Sequence, residues 1–284
     1  MTDKQDIWTT LKVLTWTKGY LAGKGVDNAR LEAEWLLAAA LRLDRVGLYV
    51  NFDRPLSAPE LAACREMVAR RARREPLQYI LGSQEFMGLD FEVNPAVLIP
   101  RHDTETLVRE ALAHAPAARS VLDIGVGSGC IAVALAKALP TAEVAGVEQS
   151  AASLAVAAQN AARHGVAVEL LEGSLFAPVA GRKFDLIVSN PPYIATADLA
   201  TLQPEVREHE PRGALDGGAD GLACYRLLVP AAPAFLAPRG WLLVETGMGQ
   251  APAVREMFAA SGFAEIFTAT DPGGIERVVG GTIS

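Results

Sequence analysis

Asn190-Pro191-Pro192-Tyr193 follows the apolar run Asp185-Leu-Ile-Val-Ser189, and the two prolines stop that run because each withdraws a backbone donor. The tetrapeptide also carries acceptors suited to one kind of chemistry. An amide or aromatic amine nitrogen is a poor nucleophile, since its lone pair is conjugated. If the Asn190 side-chain oxygen and the Pro191 carbonyl each accept one N–H, the nitrogen is held with its lone pair aimed at an electrophile. The same acceptors stabilise positive charge as it develops on nitrogen, the mirror image of an oxyanion hole. Tyr193 would offer a flat face to a planar substrate group. Asn190, Pro191 and Tyr193 are therefore the candidate catalytic residues, and Pro192 completes the substrate-binding set. The bland alternative is a rigid turn with a core tyrosine, and the position at a strand's carboxyl end weighs against it.

A second constellation lies upstream, in Val121-Leu-Asp-Ile-Gly-Val-Gly-Ser-Gly129. Gly125, Gly127 and Gly129 let the chain turn sharply and approach a ligand closely. A dinucleotide fingerprint, G-x-G-x-x-G, would need glycine at position 130, where the chain has Cys130. The spacing favours S-adenosyl-L-methionine instead, with Gly125, Val126, Gly127, Ser128 and Gly129 as its cradle. Glu148 comes 23 residues after Gly125, at the end of the next strand pattern. A carboxylate there can accept from both ribose hydroxyls, as the acidic residue of dinucleotide folds does. Its other reading is a solvated acid ahead of Ser150, the expected N-cap of the following helix.

The elements that must position these groups follow from periodicity. Strands are expected at 120–125, 143–148, 167–172, 184–189, 241–246, 263–269 and 275–281, and helices at about 129–138, 151–163, 221–236 and 250–260. Alternating β and α patterns of this kind build an α/β, doubly wound, mostly parallel sheet with helices on both faces. The last two strands have no helix between them and should pair antiparallel at one edge. Residues 83–96 change period: Leu89, Phe91 and Val93 alternate, with Phe86 before Gly88, as in a β-hairpin. The first 75 residues read as a small helical bundle. Ile7, Leu11, Leu14 and Leu21 recur near helical spacing, with Trp8 and Trp16 beside them. Asp27 precedes a second helical run, and Ser57 with Glu60 forms a capping box before a third, from Ala58 to about Arg74, striped by Leu61, Cys64, Met67 and Val68 and ended by Pro76.

Composition narrows the classes. The net charge is −7, yet residues 1–80 carry 13 Lys+Arg against 10 Asp+Glu, and the remainder 13 against 23. An acidic chain is a poor general ligand for nucleic acid and suits a cationic ligand or partner. The three cysteines are far apart without a CxxC pair, and the four histidines lack metal-ligand spacing, so neither disulfides nor a metal is expected. No run of about 18 apolar residues is present and Met-Thr-Asp-Lys-Gln-Asp-Ile-Trp8 lacks a leader's layout, which points to a cytoplasmic protein without a membrane span. Arg70, Arg71, Arg73 and Arg74 read either as a solvated helix end complementing the dipole or as a partner-binding patch. His102 and His209 read as structural or solvent-facing.

Over nearly its whole length the sequence resembles the HemK-type release-factor glutamine methyltransferases. Besides Asn190 to Tyr193, the resemblance rests on Pro76-Leu-Gln-Tyr-Ile-Leu-Gly82, Glu85-Phe-Met-Gly-Leu-Asp-Phe91 and Val97-Leu-Ile-Pro-Arg-His-Asp-Thr-Glu105. Further blocks are Glu205, Pro211, Ala214-Leu-Asp-Gly-Gly218, Asp220-Gly-Leu-Ala-Cys-Tyr-Arg226, and Glu245-Thr-Gly247 with Gln250. The resemblance implies a seven-stranded Rossmann-like methyltransferase sheet. It divides the chain into a helical substrate-recognition domain (1–75), a β-hairpin connector (76–100) and a catalytic domain (101–284). It further implies N5-methylation of the glutamine in the GGQ motif of class I peptide chain release factors, with Gly125 to Gly129 and Glu148 on the cofactor and Asn190 to Tyr193 on the glutamine, Asn190 also neighbouring the cofactor. Three positions depart from the family pattern. His102 stands where proline is usual, Ser174 where aspartate is common, and Glu148 where aspartate is more usual. If position 174 normally meets adenine, apolar packing by Leu175 would matter more here. A ribosomal-protein glutamine methyltransferase is the nearest rival, and an adenine-N6 nucleic-acid methylase a more distant one.

Overall fold

The computed structural model describes residues 7–284, so the first six residues of the N-terminal stretch read for a leader lie outside it. The chain divides into two units, one formed by the N-terminal residues to Gly82 with Pro204–His209, the other by Ser83–Gln203 with Glu210–Ser284.

In the first unit the helices are α1 (Thr10–Gly23), α2 (Ala29–Leu41), α3 (Arg45–Val50), α4 (Ala58–Ala72) and α5 (Leu77–Leu81). Leu21, Leu36, Leu37, Leu48, Cys64 and Val68 are buried together as its core. Burying a leucine fully is worth about 1.5–3 kcal/mol, which is enough to hold short helices that would not persist alone. The face of α1 differs from the expected one. Val13, Leu14, Thr17 and Leu21 point inward, while Leu11 is 46% exposed and Ile7, ahead of the helix, 62%. Val13 and Thr17 fall one turn apart on the stripe of Leu14 and Leu21, and counting only leucine and isoleucine hides them. Ser57 and Glu60 do form the capping box, with Ser57 N–H donating to Glu60 Oε2 at 2.8 Å. The short α3 and α5 were not foreseen; α5 takes the Pro76–Gly82 segment, expected in the connector, into the helical unit.

The arginines at the end of α4 are mostly occupied within this unit. Arg71 is 4% exposed and binds Glu32 and Glu205, the latter at 2.7 Å. Arg74 also binds Glu205, at 2.7 Å, and Arg70 binds Glu75 at 2.5 Å. Neither expected reading fits Arg71: it is an internal clamp, neither solvated nor presented to a partner.

The second unit begins with the hairpin β1 (Ser83–Phe86) and β2 (Leu89–Glu92). Its two-residue turn, Met87-Gly88, has φ of 53° and 73°, as a tight hairpin with right-handed strands requires. Then follow α6 (Glu105–His114), β3 (Ser120–Ile124), α7 (Cys130–Ala138), β4 (Glu143–Glu148), α8 (Ala151–Arg163), β5 (Glu169–Glu172) and β6 (Phe184–Ser189). After α9 (Pro204–His209), which belongs to the first unit, come α10 (Ala223–Ala231), β7 (Leu236–Glu245), α11 (Ala251–Ala260), β8 (Ala264–Thr270) and β9 (Glu276–Thr282). The seven-stranded sheet has the order β5-β4-β3-β6-β7-β9-β8. β3 to β7 run parallel, and β9 pairs antiparallel with both β7 and β8.

Alternate residues of the central strands enter opposite cores, as the period of two dictates. Val121, Leu186, Val188 and Leu243 pack with Leu107, Ile131, Leu135 and the hairpin residues Phe86 and Phe91. Leu122, Ile124, Ile187, Leu242 and Val244 pack with Tyr225, Leu228, Val254 and Phe258. Strands covered on both faces read as near-continuous apolar runs, which is why they stand out in the sequence. Among the described residues no helix is long and apolar enough to cross a membrane.

Candidate active site

The strand order reverses at β3, whose neighbours are β4 on one side and β6 on the other. Open α/β sheets bind ligands at this crevice, at the carboxyl ends of the strands. The register brings the candidate residues there. Ile124 pairs with Ser189 and also with Val147, so Gly125, Glu148 and Asn190 all leave the sheet at one level. Ser189 Oγ donates to the Ile124 carbonyl at 2.7 Å and ties the two strand ends together.

Gly125 and Gly127 have φ of 79° and 53°, a region that other residues enter at a cost. A Cβ on Gly125 would meet no atom within 4 Å, because this side of the loop opens on a cavity of about 500 Å³. Gly129 has a different reason. It is the N-cap of α7, with φ 83°, and a Cβ there would lie 3.2 Å from Ala157 of α8. Gly125, Val126, Gly127 and Ser128 line the cavity, while Gly129 packs helix against helix.

Glu148 also lines the cavity, with most of its hydrogen-bonding capacity already used. Its Oε2 accepts from Gly127 N–H at 3.1 Å, and its Oε1 accepts from the N–H groups of Gln149 at 2.8 Å and Ser150 at 3.1 Å. A carboxylate has about four lone-pair sites, so about one is left, on Oε2. That lone pair is open to a ligand hydroxyl on the cavity side. The same bond stiffens the glycine loop, a role the sequence did not suggest.

Asn190, Pro191 and Pro192 line the cavity beside the glycine loop. The Asn190 amide nitrogen donates to Thr104 Oγ1 at 3.2 Å. Among the described residues no hydrogen bond reaches the Pro191 carbonyl. Tyr193 is half-buried, off the cavity lining, and packs against the sheet core, its Cδ2 3.0 Å from where a Cβ on Gly247 would stand. Its carbonyl accepts from Gln250 Nε2 at 2.8 Å. Burial raises its phenol to about 12, so it stays neutral. Ile194 N–H donates to Leu215 O at 3.0 Å and Gly217 N–H to Ile194 O at 2.8 Å, which lays the Leu215–Gly218 turn on the tetrapeptide. A Cβ on Gly217 would stand 2.8 Å from the carbonyls of Pro192 and Gly221.

Leu175 is on the cavity wall with φ 50°, whereas Ser174 is exposed and off it. His102 is exposed and 3.3 Å from Glu105. Glu85, His102 and Glu105 could bring ligand atoms within 4.8 Å of one another, a grouping that histidine spacing did not suggest. Glu105, however, is already engaged by Arg109 and by Met87 N–H.

Two family models match the chain: the PrmC N-terminal domain over residues 12–82 and the methyltransferase small domain over residues 102–206. A release factor glutamine methyltransferase of Geobacter sulfurreducens is 70% identical over 283 residues, covering 100% of both chains. One of Moorella thermoacetica is 47% identical, covering 85% of this chain and 87% of its own. The chain belongs to the release factor glutamine methyltransferase family. Among solved structures, the catalytic domain of hMettl16 in complex with MAT2A 3′UTR hairpin 6 aligns over 77% of this chain and 82% of its own, with 15% identity and a TM-score of 0.59, a likeness of fold alone.

For a release factor glutamine methyltransferase, several supporting residues carry no motif of their own and escaped the sequence. Asp123 is fully buried, its Oδ2 accepting from Ala132 N–H at 3.2 Å while Oδ1 has no partner, and burial pushes it to about 7. Asn160 donates to Ser128 O at 2.8 Å and exchanges two bonds with Glu92, joining loop, hairpin and α8. Arg101 and Ile99 N–H both bind the buried Glu210. Thr104 and Glu245 sit behind Asn190. All but Asn160 fall in or beside the quoted sequence blocks. Only their pairing across the fold shows what they do.

Proposed function

We propose that this chain transfers the methyl group of S-adenosylmethionine to the side-chain N5 of the glutamine in the GGQ motif of class I release factors. The observation that carries this reading is the Asn190 amide: its nitrogen is engaged by Thr104, which leaves its oxygen as an acceptor beside the uncommitted Pro191 carbonyl. Two acceptors side by side suit a planar group with two N–H donors and repel a carboxylate. The cavity fits the cofactor: glycines without side chains on its floor, one free carboxylate site on Glu148 for a hydroxyl, Leu175 as an apolar wall, and net negative charge around a cation. Bound there, S-adenosylmethionine supplies an electrophilic methyl on a sulfonium sulfur, open to in-line displacement.

Asn190 and Pro191 then orient the amide and take up the charge that grows on its nitrogen. Pro192 keeps the turn rigid. Tyr193 acts from beneath, as the packed post on which the turn rests, with Gln250 gripping its carbonyl. No strong base is needed, because an N-protonated amide gives its proton readily to water. The helical unit is the natural recognition domain for the protein substrate, and the acidic balance offers no general nucleic-acid face. The test is incubation with labelled cofactor and a purified release factor, with a ribosomal protein as control, followed by peptide mass mapping. A label on any residue other than the GGQ glutamine, or on the ribosomal protein alone, overturns the assignment.

A further inference from the structure

Glu245 stands at the end of β7, 1% exposed, in the interior directly behind the candidate site. The Thr104 side chain faces its carboxylate and holds its pKa down, and its Oε2 is buried without a partner. Thr104, 2% exposed, in turn accepts from Asn190 Nδ2 at 3.2 Å. Three side chains from three elements thus form one line: β7, the start of α6, and the turn after β6. An asparagine amide can sit either way round, and the hydrogen-bond network decides which. A hydroxyl has one proton and two lone pairs.

We propose that Thr104 and Glu245 are positioning residues for the transfer: with its proton committed to the Glu245 carboxylate, the Thr104 oxygen can only accept, and this turns the Asn190 nitrogen inward and its oxygen to the substrate amide. The inference rests on the reading of Asn190 given above. It moves no proton between these groups. The buried negative charge strengthens the chain of bonds and makes the Asn190 oxygen a better acceptor for the nitrogen on which positive charge develops. When Glu245 takes a proton it can donate to Thr104. The hydroxyl is then free to donate to the Asn190 oxygen, and the amide can reverse and present its N–H groups outward.

Glu245 is held near that transition. Burial pushes it up to about 7, while Thr104, Arg277 of β9 and Arg101 pull it down and Asp103 pushes it up. Tyr193, the α10 residue Tyr225 and the α7 residue Cys130 also face it, all three held protonated by burial. The Tyr225 hydroxyl donates to the Glu245 backbone carbonyl at 2.7 Å and fixes the end of the strand.

The experiment compares T104V, T104S, E245Q and N190A by single-turnover methylation of a whole release factor, by cofactor titration, and by competition with a release factor carrying glutamate in place of the glutamine. T104V should lose about ten- to a hundredfold in rate, the worth of one bond to a charged group, with cofactor affinity unchanged. T104S should recover most of that rate. The glutamate-bearing factor should compete better against T104V than against the unaltered enzyme, because a reversed amide offers donors to a carboxylate. The unaltered rate should rise with pH through one ionisation that E245Q lacks, a readout that stands even if T104V does not fold. Full rate in T104V beside an inactive N190A would overturn this inference and leave the reading of Asn190 intact, whereas full rate in N190A would remove that reading itself. Equal losses of rate and cofactor affinity in T104V, or an unchanged pH profile in E245Q, would reduce the pair to a structural role.

Discussion

Removing the Glu148 carboxylate as Glu148→Ala should weaken S-adenosylmethionine binding by about tenfold while leaving the fold intact, and the size of the effect follows from lone-pair counting. A hydrogen bond to a charged group is worth about 1.5–3 kcal/mol, so two lost ribose contacts would cost roughly 10²–10⁴-fold. Three of the four acceptor positions are already filled by the N–H groups of Gly127, Gln149 and Ser150, which leaves one. Glu148 is also half-buried on an open cavity, where water competes, and this selects the low end of the range. The Gly127 N–H released by the substitution can be solvated, so the loop loosens without a large loss of stability. Calorimetric titration with the cofactor measures the affinity directly, and the ligand-induced rise in melting temperature checks it independently. An affinity within twofold of the unaltered protein would refute the ribose assignment. A loss above a hundredfold would refute the lone-pair count instead.

Asn190→Ala should leave cofactor affinity nearly unchanged and cut turnover by roughly 10²–10³, as the loss of one preorganised polar group does; single-turnover rates set against titrations separate the two. Gly217→Ala places a Cβ 2.8 Å from two carbonyl oxygens, so turnover should fall together with melting temperature, since the turn packed on the Asn190 tetrapeptide must shift. Arg71→Met should destabilise the helical unit by about 3–5 kcal/mol, the cost of stranding buried carboxylates, and Glu32 and Glu205 are the two left behind; denaturant unfolding reads this. Asp123 and Glu245 are each raised to about 7 by burial, so between the ordinary carboxylate range and that value the folded chain holds protons that the unfolded chain has released. Stability at constant ionic strength should therefore fall as pH rises from about 5 to 7, opposite to the usual acid loss.

Much of the sheet was legible because its strands are covered on both faces, and runs such as Phe184-Asp-Leu-Ile-Val-Ser189 leave little choice of conformation. β7 was read five residues short, from Trp241, because Leu236-Ala-Pro-Arg-Gly240 carries a proline and a glycine that argue against a strand. The register shift between Phe184 and Leu186 opposite this segment shows how the irregularity is absorbed. The glycine loop and the Asn190 turn were legible through local constraints, positive φ and paired prolines. The packing of Tyr193 was not legible, because an aromatic residue in a motif looks the same whether it faces a ligand or the core, and Gly247 and Gln250, which fix it, lie more than fifty positions away. Thr104 had the same disguise: a hydroxyl's role depends on what the fold brings to it.

The six residues of α9 make the helical unit discontinuous in sequence, and this bears on how such a protein could be recombined. The backbone crosses between the units three times, after Gly82, after Gln203 and after His209, where a simple appended module would need one crossing. Glu205 is the distant half of a lock whose other half, Arg71 and Arg74, lies more than a hundred positions earlier. An exchange of N-terminal segments between relatives at a single junction would carry the arginines and leave their glutamate behind. Chimeras that also transfer 204–209 should keep their solubility where single-junction chimeras lose it. By the same reasoning, substitutions at 71, 74 and 205 are expected to arise together, which ties the inheritance of the N-terminal helices to a short stretch far along the chain.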